Sequence, residues 1–136
     1  MLMSDNLIDK RSYAFALRIV KAYQYLCDVK GERILSKQLL RSGTAIGALM
    51  REAKFAQSRA DFINKASVAL KEANETLYWI ELLHDGGYID DVTFSSIHDE
   101  ADEITSILAA IVKTSKENSM KYCSDGFVRE DYFPDY

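Results

Sequence analysis

Glu72 and Glu75 stand three residues apart, so any helix containing them places both on one face, and Glu52 lies on the helical segment before. Carboxylates gathered inside a helical bundle are the donor set of di-metal sites. Those sites want a Glu-x-x-His pair on each of two helices and a further Glu from each of the others. His84 and His98 are the chain's two histidines, and two such pairs are not there. No metal is therefore expected. The carboxylates are expected instead to pair with Arg41, Arg51 or Lys71, fixing helix register at an interior or an interface. No nucleophile stands out either: Cys27 sits within an apolar stripe, and Cys123 has no histidine beside it. His98, Asp99, Glu100 and Asp102 read as a solvated acidic face. The expectation is a non-enzymatic protein with no cofactor and no small-molecule substrate.

A second set of side chains could meet phosphates. The chain carries a formal charge of −4, unevenly spread: residues 33–72 hold eight basic groups against three acidic, and residues 73–136 hold four against fourteen. Arg33, Lys37, Arg41, Arg51 and Lys54 make the stretch a candidate RNA- or DNA-binding surface. The competing reading pairs these cations with acidic faces on the last helix or on a neighbouring molecule. Overall acidity favours that second reading.

The elements that must position these groups are helices. With 48% hydrophobic residues, one proline and six glycines in 136 residues, the chain is neither collagen-like nor a turn-rich β-sandwich. Punctuation falls at Gly31, at Gln57-Ser58 and at Gly86-Gly87. Gly31 and Gly86-Gly87 suit left-handed helix ends, while Ser58 with Asp61, and Asp90 with Asp91, suit helix starts. Four helices follow, over about 9–30, 34–56, 59–84 and 91–117. Their seams step by threes and fours: Leu35, Leu39, Ser42, Ile46, Leu49, Ala53, Ala56 in the second; Phe62, Ala66, Ala69, Ala73, Thr76, Ile80, Leu83 in the third. Ile97, Ala101, Ile104, Leu108 and Ile111 mark the fourth, and the first carries two overlapping stripes through Phe15-Ile19 and Ala16-Val20. Short connections make neighbours antiparallel, so the fold class is all-α, an up-down-up-down four-helix bundle over 1–118 with a tail over 119–136. The opening residues lack an apolar leader, and the longest uncharged stretch near the middle, Ser42 to Met50, is nine residues. No membrane span and a cytoplasmic location are expected.

Gly43 and Gly47, one turn apart, are expected to let a neighbouring helix come close, with the alanines Ala66, Ala69 and Ala73 as counterpart. Aromatic residues lie on several helix faces, Tyr78 and Trp79 among them. Either they stay half exposed or a second copy covers them. The tail is acidic and aromatic; Phe127, Tyr132 and Phe133 are expected to dock on the bundle or on an adjacent protomer, a mobile tail being the alternative.

The run from Ser36 to Ala48 (SKQLLRSGTAIGA) with Arg51-Glu52-Ala53, and the run from Phe62 to Trp79, carry a resemblance. They resemble the small bacterial four-helix-bundle proteins first noticed as reading frames in intervening sequences of 23S ribosomal RNA genes. That family is similar in turn to the accessory variability protein of diversity-generating retroelements. Many members place a small residue and then glycine where this chain has Glu52-Ala53. The resemblance implies a bundle that assembles as a ring, commonly a homopentamer, with no settled activity.

Overall fold

The computed structural model describes residues 3–124, with side chains over 7–120. Four helices run in sequence: α1 (Met3–Asp28), α2 (Leu35–Ala53), α3 (Arg59–Asp85) and α4 (Asp91–Ser124). Each packs on the next and α4 returns to α1, while the diagonal pairs do not meet, which is the up-down-up-down arrangement. The α1–α4 seam is the loosest of the four.

The boundaries have local causes. Gly31 (φ 69°) and Gly87 (φ 86°) take the left-handed conformation, where a Cβ is costly. Behind Gly87 the amide of Tyr88 closes on the Leu83 carbonyl at 2.8 Å and that of Gly87 on His84 at 3.0 Å, a Schellman end. Ser58 Oγ accepts the Asp61 amide at 3.1 Å and Asp90 Oδ1 accepts that of Thr93 at 2.7 Å, capping α3 and α4. Helix α2 stops at Ala53, three residues before its expected end, and α4 continues to Ser124. Residues 119–124, set apart above as the start of a tail, are thus helical; no glycine or proline interrupts the chain between Gly87 and Gly126. Phe127, Tyr132 and Phe133 lie outside the described residues.

Every expected seam residue of α3 and α4 is buried. In α2 the seam turns slightly: Ser36, Gly43 and Met50 are buried, whereas Leu35 and Leu49 are only partly so. In α1 the Phe15-Ile19 stripe forms the core with Ile8 and Leu26. Gly43 and Gly47 do not face the alanine stripe of α3. A Cβ at Gly43 would lie 2.9 Å from Cγ1 of Ile19, and one at Gly47 3.3 Å from Oγ of Ser12, both on α1. The glycines therefore serve the α1–α2 contact. Across the α2–α3 contact the buried hydroxyls of Ser42 and Thr76 sit 2.9 Å apart, satisfying polar atoms that would otherwise be stranded.

Candidate interaction surface

On the α2–α3 side, the Arg41 guanidinium reaches Oε2 of Glu75 at 2.5 Å and Oε1 of Glu72 at 3.5 Å. Oε1 of Glu72 is buried and accepts no hydrogen bond from the described residues, so this longer charge contact is what offsets its desolvation. Glu52 turns elsewhere, to Lys65 at 3.5 Å. Lys71 is exposed and makes no ion pair among the described residues. The structure thus gathers Arg41, Glu72 and Glu75 and leaves Glu52, Lys71 and Arg51 apart. Among the described residues no three His, Cys, Asp or Glu side chains are grouped to hold a metal.

Of the five candidate phosphate-binding cations, three are already engaged, and on two different flanks of α2. Arg41 faces the α3 carboxylates, Lys54 pairs with Asp9 of α1 at 2.8 Å, and the Arg51 guanidinium lies 5.9 Å from the Tyr13 ring centroid on α1. Arg33 and Lys37 are exposed and make no ion pair among the described residues.

Two polar constructions escaped sequence reasoning. The first is Glu32, which is buried. Its Oε2 accepts the amides of Ile34 and Leu35 at 3.0 Å each and its Oε1 that of Ser36 at 2.7 Å. Ile34, the residue before α2, offers no side-chain cap, so a carboxylate two positions earlier satisfies the orphan amides and meets the positive end of the dipole. Burial pushes this carboxyl up, but the amides of Leu35, Ser36 and Ile34 outweigh it and hold the carboxyl below its usual range. The missed signal was an acidic residue ahead of a helix lacking a Ser, Thr or Asp cap.

The second lies at the α3–α4 turn. His84 Nε2 is 2.7 Å from Asp91 and Nδ1 3.2 Å from Asp85, and the imidazole stacks on Phe94 with centroids 4.1 Å apart. His98 also meets the Phe94 ring, centroids 4.9 Å apart, and lies 2.9 Å from Glu81. Glu81 and His84 do have the Glu-x-x-His spacing, yet each turns to a different partner on α4. The hydrogen bond to Asp91 raises the His84 pKa against partial desolvation, with Asp85 adding to it. Together these contacts latch α3 to α4 and make no metal cradle.

Apolar side chains remain outside. Tyr13 and Leu17, one turn apart on α1, are 55% and 50% exposed, and Phe55, just past the end of α2, is 76% exposed. The Arg51 guanidinium approaches the Tyr13 ring across the α1–α2 contact, and Phe55 follows Arg51 by four residues in the turn that leaves α2. Tyr78 is exposed and meets Trp79 edge-on at 5.1 Å, while Trp79 packs half-buried against the core with its Nε1 lacking an acceptor.

No described helix is long and apolar enough to cross a membrane. No curated protein matches the chain. A solved protein with unknown function from the S23 ribosomal protein family of Bacteroides thetaiotaomicron is 52% identical; the match covers 82% of this chain and 99% of that one, with a TM-score of 0.80. Residues 4–110 match the family described as 23S rRNA-intervening sequence protein. With most of the chain inside that match and the bundle geometry shared, the protein belongs to the 23S rRNA-intervening sequence protein family.

Proposed function

We propose that this protein is a non-enzymatic scaffold that assembles with copies of itself, as a ring, and presents the assembled surface to a partner. The observation that carries the reading is the exposure of Tyr13 and Leu17, one turn apart on α1, and of Phe55 just past the end of α2. Single exposed apolar residues are ordinary, but neighbouring ones with an aromatic ring among them are the usual material of a contact between proteins. Arg51 beside Tyr13 adds a side chain enriched at such contacts. The same geometry weighs against a phosphate-binding surface on α2, since Arg41, Arg51 and Lys54 would each have to leave a partner within the molecule. The polar clusters at Arg41 and at His84 pair within the chain and fix helix register, which supports a scaffold role. Light scattering tests the reading. The wild-type protein is expected at a multiple of 15.5 kDa, and Leu17→Lys, which places a charge beside Tyr13 without touching the core, is expected to lower that mass. A monomeric wild type overturns the proposal.

A further inference from the structure

Where the C-terminal half of α1 meets the α3–α4 turn and the start of α4, the loose seam opens into a groove of about 500 Å³. Its floor is apolar (Ala22, Leu26 and Ile97) and Tyr25 stands half-exposed at its rim. Lys21 and Lys30 flank it, both exposed and neither in an ion pair among the described residues. The other charges are committed: Arg18 to Glu100 and Ser96 at 2.7 Å each, and Asp90 Oδ1 to the Thr93 amide at 2.7 Å. Asp90 keeps its negative charge and Lys30 acts on it electrostatically, but with Arg18 neutralised by Glu100 the two lysines still leave the groove net positive, over a greasy floor.

One segment of this chain has the complementary character. Residues 125–136 contain Asp125, Glu130, Asp131 and Asp135 against Arg129 alone, with Phe127, Tyr132 and Phe133 among them. They lie outside the family match at 4–110. Reach decides which groove they can meet. Helix α4 starts at the groove and carries the chain away from it, about 40 Å between residues 97 and 124 at ~1.5 Å per residue. Phe133, nine residues past Ser124, can return at most about 31 Å at ~3.4 Å per residue. The chain's own groove is out of range of Phe127 and Tyr132, and Phe133 would meet only its near edge with every residue fully extended.

We infer that residues 125–136 of one copy dock into the α1–α4 groove of another, Phe127, Tyr132 and Phe133 covering its apolar floor and the carboxylates meeting Lys21 and Lys30. The inference rests on the self-assembly reading and names a contact for it. The segment and the groove are different surfaces, so a contact made in one direction only is heterologous, the kind that closes into a ring when the rotation permits.

The test places p-benzoylphenylalanine at Phe133 in the full chain and photolyses an equal mixture of ¹⁴N- and ¹⁵N-labelled protein. Crosslinks are expected between heavy and light copies, onto residues 21–30 or 87–97. They should fall about five-fold or more in Lys21→Glu/Lys30→Glu, where like charges face each other. In Lys113→Glu/Lys116→Glu, the same charge change away from the groove, they should persist. Should the first pair melt early by circular dichroism, Lys21→Gln/Lys30→Gln takes its place with the same expected direction. Crosslinks elsewhere on the bundle, or only within one copy, overturn the inference. Light scattering on the same samples separates the two ideas: an assembly crosslinked elsewhere sinks the docking and leaves self-assembly standing, and a 15.5 kDa species sinks both.

Discussion

Adding one methyl group at Gly43 should destabilise the bundle, although alanine is the better helix former. The new Cβ would lie 2.9 Å from Cγ1, 3.0 Å from Cγ2 and 3.4 Å from Cβ of Ile19. Ile19 is fully buried and β-branched, so it has one favoured χ1 rotamer in a helix and nowhere to turn. Overpacking of this kind costs about 1–3 kcal/mol, and the helix-propensity gain returns about 1 kcal/mol. The net effect is a loss of about 1 kcal/mol. At Gly47 the nearest atom is Oγ of Ser12 at 3.3 Å, a hydroxyl that can rotate, with the Ser12 backbone at 3.5 Å. Gly47→Ala should therefore gain about 0.5 kcal/mol, most of the propensity term surviving. The assay is urea unfolding followed by circular dichroism at one fixed protein concentration, since assembly makes apparent stability concentration-dependent. A double-mutant cycle sharpens it. Ile19→Ala removes both clashing branches at its own cost of about 2–5 kcal/mol, and in that background Gly43→Ala should turn stabilising. If Gly43→Ala stabilises the wild-type chain as much as Gly47→Ala does, the close α1–α2 approach is refuted.

Glu32→Gln keeps the size of the capping side chain and removes its charge, and should cost about 1–2 kcal/mol near neutral pH. Because the folded carboxyl titrates below its ordinary 4.5, its contribution is complete above that value and lost as pH falls through the lowered one. Melting curves of wild type and variant should separate at pH 7 and converge in acid; a constant gap would contradict the charged cap. His84 behaves in the opposite sense. Its folded pKa lies above the ordinary 6.5, so the latch to Asp91 contributes fully below 6.5 and fades as pH rises through the raised value. His84→Gln should lower the melting temperature in mildly acidic buffer and little in alkaline buffer, and proton NMR of the imidazole gives the titration directly.

The four helices and the α3 and α4 seams were legible because period, caps and breakers agree there: from Phe62 to Leu83 the step of threes and fours never breaks, even though Ile63, Val68, Leu70, Leu77 and Leu82 stand beside the seam. The α2 seam was less so. Leu49 and Met50 are neighbours of equal greasiness, and only the position of α1 and α3 decides that Met50 goes inside. The Gly43–Gly47 pair announced a close approach without saying to which helix, since periodicity fixes a face and not its neighbour. Arg41, Glu72 and Glu75 were legible as a pairing set because both carboxylates share a face. Glu52 was not, because its partner Lys65 was one of several equivalent cations. Glu32 was missed for a different reason: it caps from three residues before the first helical residue, outside the usual pattern. The His84–Phe94–His98 stack joins residues brought together only when the α3–α4 turn closes.

If copies of this bundle cover one another's exposed rings, the mass of the wild-type protein in solution at micromolar concentration shows it most directly. A single species at several times 15.5 kDa is expected, five times for the ring the family resemblance suggests. A monodisperse species at 15.5 kDa that persists as concentration rises would contradict it.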